Sequence, residues 1–145
     1  MKYLNNAFLL LFLCVSGSHL LAASNMSEDE VRKIFTGNTV EGERRDFEDP
    51  GGGFTGKLIN FPEEFVNYYT EDGAVKKKIG EKITTGKWRV TNSGKLCAEW
   101  KGKKEKCAPV YKDGKIYKRV TKNKKGRNLR EYRYIKFIPG NEYNL

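Results

Sequence analysis

The run DPGGGFTGKL, residues 49–58, places Gly51, Gly56 and Lys57 at the spacing of a phosphate-binding loop. Such a loop cradles phosphates with backbone N–H groups, aims its lysine at them, and holds magnesium with a Ser or Thr next to that lysine. Here Leu58 stands where the hydroxyl is needed, Asp46, Glu48 and Asp49 crowd the approach, and Pro62 follows soon after. Those carboxylates repel an anion where it needs attraction. The stretch therefore reads as a glycine turn between strands, with no nucleotide bound at residues 51–58.

Other chemistries are narrowed by residue types the chain lacks. The one histidine is His19, inside the N-terminal apolar segment, and the cysteines are Cys14, Cys97 and Cys107. Beyond residue 23 there is no imidazole to serve as a general base or zinc ligand, so the usual nucleophile–histidine arrangements are excluded there. Carboxylate pairs are the remaining acid–base option, with Glu63, Glu64, Glu71 and Asp72 as candidates. Adjacent residues on a strand point to opposite faces, so Glu63 and Glu64 cannot converge on one. The expectation is a non-enzymatic binding protein with no catalytic residue, metal or cofactor, a carboxylate-dependent hydrolase being the distant alternative.

Charge is the most informative property. The net formal charge is +10, yet residues 25–73 sum to −7 and residues 74–136 to +17. Such asymmetry gives a polar molecule with a strong positive field from its second half. Two basic clusters stand out. One is Lys101, Lys103, Lys104 and Lys106 around Gly102; the other is Lys122, Lys124, Lys125, Arg127, Arg130 and Arg133 around Gly126. These ten are the candidate anion-binding residues, suited to anionic lipid, lipopolysaccharide or an acidic protein. Tyr111, Tyr117, Tyr132 and Tyr134 lie near enough in sequence to stack on a ligand.

The chain opens with Lys2, an apolar run from Ala7 to Val15 and the small-residue stretch around Ala22 and Ala23. This is the layout of a secretory signal peptide, and the run is too short to span a bilayer. The expected division is a cleaved signal peptide at 1–23 and one β-rich domain at 24–145, exported to the periplasm or the exterior, with no transmembrane segment in the mature protein. Loss of Cys14 leaves two cysteines, which in an exported chain predicts a Cys97–Cys107 disulfide. Gly102 lies midway between them, so a hairpin tipped at 101–103 sets them opposite one another. The same register would oppose Glu99 and Glu105 unless a bulge near Pro109 shifts it.

The elements that must position these residues are mostly strands. Ser27-Glu28-Asp29-Glu30 is a capping box, and Val31, Ile34 and Phe35 give a short helix one apolar face before Gly37. Strand-like segments follow at 39–47, 56–61, 65–70, 74–80, 82–91, 95–100, 104–112, 115–121 and 131–138, divided by glycine turns. Trp88 and Val90 alternate cleanly in one strand, and Leu96, Ala98 and Trp100 in another. Tyr132, Tyr134 and Ile138 would share one face of the last strand, with Ile135 and Phe137 on the other, which suggests cover on both sides. The candidate core is Trp88, Val90, Leu96, Trp100, Tyr132 and Tyr134. The predicted fold is mainly β: a single antiparallel meander curled into a small up-and-down, lipocalin-like barrel or half-barrel, with the helix plugging or flanking it.

Over residues 27–145, the segments TGNTVEG, YYTEDG, GKWRVTNSGKLCAEWKGKKEKCAPVY and the final GN before leucine resemble a family of small exported proteobacterial proteins of unknown function. That resemblance implies a fold but no activity. The Gly86-x-Trp88 triplet is similar to that of lipocalin-like barrels, although it falls on a middle strand rather than the first. This weaker likeness implies an alternative role, carriage of a small apolar ligand with Trp88 and Trp100 lining a cavity. Barrel-shaped periplasmic lysozyme inhibitors are similar in size and disulfide use; for a chain this basic, such a partner would have to offer an acidic face.

Overall fold

In a computed structural model, residues 24–48, 56–122 and 128–145 are described. The expected signal peptide at 1–23 with Cys14 and His19, residues 49–55 of the glycine run, and Lys124, Lys125 and Arg127 lie outside them. The order is α1 (Glu28–Phe35), β1 (Asn38–Glu48), β2 (Glu63–Tyr69), β3 (Ala74–Ile79), β4 (Lys82–Val90), β5 (Lys95–Trp100), β6 (Lys106–Asp113), β7 (Ile116–Lys122) and β8 (Asn128–Pro139). Each strand pairs antiparallel with its neighbour in sequence and β8 returns to β1, closing an eight-stranded up-and-down barrel. Closure gives every strand a partner on both sides.

The capping box forms as the sequence predicts. The Ser27 amide donates to Glu30 Oε2 at 2.7 Å and the Glu30 amide to Ser27 Oγ at 3.4 Å. The Ser27 amide, together with the Ser27 hydroxyl donating to Oε2 at 2.8 Å, holds the Glu30 carboxyl below the usual glutamate range. The helix then lays Val31 and Phe35, both fully buried, into one mouth of the barrel. Phe35 meets Tyr69, Tyr134 and Phe137 edge-on, with ring centroids at 4.9, 5.0 and 5.4 Å. Arg32 ties the helix to β4 by donating to the Val90 carbonyl. The β2–β3, β4–β5 and β6–β7 turns surround this plugged mouth, so the β3–β4 and β5–β6 turns, the end of β7 and the start of β8, and residues 56–62 before β2 belong to the opposite end.

Several sequence expectations are corrected. Residues 56–61 form no strand: Leu58 makes one isolated bridge to Phe47, and the segment otherwise hangs on β1 through Glu48 N–H to the Lys57 carbonyl and Ile59 N–H to the Asp46 carbonyl. Nor does cover on both faces account for the mixed alternation of β8 around Ile135. Its ladder with β1 shifts register at Glu41/Gly42, where Gly42 pairs with Tyr134 and Glu41 with Lys136, leaving Ile135 as the extra residue of a bulge. The bulge resets the alternation. Tyr132, Tyr134 and Phe137 consequently all reach the inner side, while Ile135 is 52% exposed. A Cβ on Gly42 would stand 2.2 Å from the Arg133 carbonyl oxygen, so only glycine lets the strands approach there. Gly86 of the Gly-x-Trp triplet is similar: a Cβ would lie 2.4 Å from the Glu99 carbonyl oxygen and 2.9 Å from the Trp100 ring.

Cys97 and Cys107 pair directly across β5 and β6 and form the disulfide, with Cα atoms 4.0 Å apart. Closing a loop of this size stabilises the fold by roughly 2–3 kcal/mol. No register shift occurs at Pro109, which pairs with Lys95. Glu99 and Glu105 are never opposed, because the ladder stops at Ala98–Lys106 and Glu105 instead takes a two-pronged ion pair from Arg89, at 2.7 and 2.8 Å.

Candidate functional site

The two ends of the barrel interior differ in character. Toward the helix it is apolar: Val31, Phe35, Val40, Tyr69, Val75, Trp88, Val90, Leu96, Val110 and Tyr134 form one buried cluster, with Trp100 and Tyr132 packed against it. All six candidate core residues thus belong to the same interior. Trp88, expected in the alternative reading to line a cavity, stands edge-on to Tyr69 at 5.3 Å and donates its Nε1–H to the Thr70 carbonyl.

Away from the helix the inward positions carry charge. Ladder parity places Arg44, Asp46, Glu63, Lys77, Lys106, Arg119, Thr121 and Arg130 on the inner side, because they pair with or alternate from buried residues such as Phe65, Val75, Ala98 and Tyr134. The carboxylates among them are engaged. Arg130 grips Asp46 with two bonds of 2.7 and 2.8 Å, and Arg44 reaches Glu63 at 2.9 Å. The Arg130 guanidinium holds the Asp46 carboxyl below its ordinary value, and the same contact raises Arg130. Cationic charge is left over. Lys77 sits 4.2 Å above the Trp100 ring, and Arg119, only 5% exposed, lies 5.1 Å over the Tyr132 ring. Among the described residues neither has a carboxylate ion-pair partner. Burial first, then the neighbouring charges of Arg44 and Lys103, lower Lys77 to about 8.

That depression carries a stability prediction. Between about pH 8 and the ordinary lysine value of 10.5, the unfolded chain binds a proton at Lys77 that the folded chain does not. Stability from this residue therefore rises with pH across that window and is least below it. Lys77→Met, which keeps the contact with Trp100, should raise the melting temperature at pH 7 and flatten the rise between pH 8 and 10. Parallel melting curves for the two proteins over that range would contradict the assignment.

The sequence-predicted anion-binding residues divide. Lys101, Lys103 and Lys104 are exposed at the β5–β6 tip and Lys106 opens β6, all at the end away from the helix. Lys122 ends β7 at that same end. Arg130 and Arg133, by contrast, are engaged by acids of this chain: Arg130 by Asp46, and Arg133 by Glu131 at 2.6 Å and Glu43 at 3.5 Å. The candidate acid–base residues do not converge: Glu63 and Glu64 begin β2, while Glu71 and Asp72 lie in the turn beyond its other end. Of the candidate stacking residues, Tyr134 is buried, and Tyr117 and Tyr132 pack against the core.

Sequence reasoning missed two sets of residues. Lys77 and Arg119 were hidden in runs that read as solvated charge, though Val75-x-Lys77-x-Ile79 and Tyr117-x-Arg119-x-Thr121 each set a cation between inward positions. The second set is apolar. Leu58 and Ile59 are 40% and 41% exposed and Phe61 is 95% exposed, on the connection entering β2 at the basic end. The mistaken strand at 56–61 would have tucked them into the sheet. Searches against protein-family models, curated proteins and solved structures found no match to this chain.

Proposed function

We propose that the protein is a non-enzymatic binding module whose helix-distal barrel end docks on an anionic lipid surface. The observation that carries this reading is that two features share one end of the barrel: the exposed Leu58, Ile59 and Phe61 before β2, and the exposed lysines 57, 101, 103 and 104. An aromatic this exposed on a soluble face gains nothing from water. Placed among lipid tails, it gains roughly 1.5–3 kcal/mol. Each nearby lysine adds about 1 kcal/mol at an anionic leaflet.

Sedimentation with phosphatidylglycerol-containing vesicles tests this. Binding should fall steeply as salt rises, since exposed charges are screened within about 8 Å at physiological ionic strength. Pure phosphatidylcholine vesicles should be left in solution, and Phe61→Ser should weaken binding to the anionic ones about tenfold. Absent or salt-independent binding would sink the reading. Retention on polyglutamate but not on vesicles would assign the face to an acidic protein instead.

A further inference from the structure

The barrel wall is incomplete between β6 and β7. Their ladder runs only from Val110–Arg119 to Asp113–Ile116, although β6 begins at Lys106 and β7 continues to Lys122. Pro109 explains the break. The 4.0 Å separation of Cys97 and Cys107 marks a non-hydrogen-bonded pair in the β5–β6 ladder, so odd-numbered residues of β6 direct their backbone groups toward β7. Val110 fits this phase: its carbonyl points the other way and accepts from the Met26 amide at 2.8 Å. At 109 the group facing β7 is a proline nitrogen, which has no hydrogen to donate.

The resulting hollow, about 390 Å³, is lined by Lys95, Lys106, Ala108, Pro109, Val120 and Thr121. Two buried polar atoms on β7 lack partners: Oγ1 of Thr121, a residue that lines the hollow and is 9% exposed, and Nε of Arg119, one inward position further along β7 and outside the lining. A buried hydroxyl or guanidinium N–H without a partner costs free energy that a bound acceptor recovers. Lys95 at the rim and the Arg119 guanidinium inside, which has no carboxylate ion-pair partner among the described residues, favour negative charge. Ala108, Pro109 and Val120 supply an apolar wall, and the volume exceeds what a bare oxyanion fills.

We propose that the β6–β7 gap is a binding site for a small organic oxyanion, a carboxylate or phosphate monoester on a short apolar body. Its oxygens accept from Thr121 and Arg119, and its body rests on Ala108 and Val120. This site opens through the side wall and does not depend on docking at the barrel end.

Amide chemical-shift mapping of the full chain tests it, with hexanoate and phenyl phosphate as the two anionic probes and hexanol as the neutral one. Saturable shifts centred on residues 106–109 and 119–122 are expected with at least one anion and not with hexanol; the stronger arm identifies the source. Thr121→Val, which keeps shape and removes the hydroxyl, should weaken that anion about tenfold, the worth of a hydrogen bond to a charged group. Vesicle binding by the variant should be unchanged. Shifts that do not saturate, that centre on residues 101–104, or that hexanol reproduces would overturn the site. So would unaltered affinity in Thr121→Val. The wild-type map decides by itself if the variant does not fold.

Discussion

Phe35→Ala is expected to cost about 3–5 kcal/mol, a large part of the stability of a domain this size. Phe35 is fully buried and touches three aromatic rings edge-on, from β2 and from both sides of the β8 bulge. Its removal deletes the transfer energy of the ring and leaves a void that the walls cannot fill. Tyr134 is held by backbone ladders to β1 and β7, and Tyr69 by its ladder to β3 and the Gly37 amide, so relaxation would have to bend those strands. The capping box provides a comparison, because Ser27→Ala removes only a cap and should cost about 1 kcal/mol. Urea unfolding measures both. The Phe35 variant should shift the midpoint with little change in slope, as expected for lost stability without a changed unfolded state. A loss near that of Ser27→Ala would mean that α1 rests on the barrel without plugging it.

The helix and the barrel were legible in the sequence because each is written locally. The capping box at Ser27–Glu30, the Asp72-Gly73 and Ser93-Gly94 turns, and the spacing of Cys97 and Cys107 about Gly102 each depend on near neighbours. What was not legible depends on partners distant in the chain. The broken alternation in REYRYIKFI looks like a strand covered on both faces until Gly42, far upstream, proves to be where β8 bulges. Residues 56–61 have strand composition, yet β1 spends its pairing on β2 and β8 and leaves Leu58 a single bridge. The candidate site follows the same rule. Lysines at the Gly102 tip could be read directly, whereas separating Arg119 from Arg130 required knowing that Asp46 stands beside one and that no carboxylate of the described residues stands beside the other. Charge counts identify a basic half; only register says which cations that half has already neutralised.

Reversal of three lysines should locate the docking face. Lys101→Glu, Lys103→Glu and Lys104→Glu together are expected to weaken binding to phosphatidylglycerol vesicles by a hundredfold or more, at about 1 kcal/mol lost per lysine before any repulsion from the new carboxylates. The fold should tolerate this, since all three are exposed and the tip is closed by the disulfide at its base. Lys33, Lys87 and Lys115 provide the control. They are equally exposed but lie on the helix, on the outer face of β4 and in the β6–β7 turn at the plugged mouth, and their reversal changes the net charge by the same amount. If net charge alone drives attraction, the two triple variants will weaken alike. If the basic end docks, only the first will, and combining it with Phe61→Ser should abolish sedimentation. The dependence on salt is a second discriminator: the first variant should lose most of the wild-type salt sensitivity and the control should keep it, because screening acts on the charges that approach the surface.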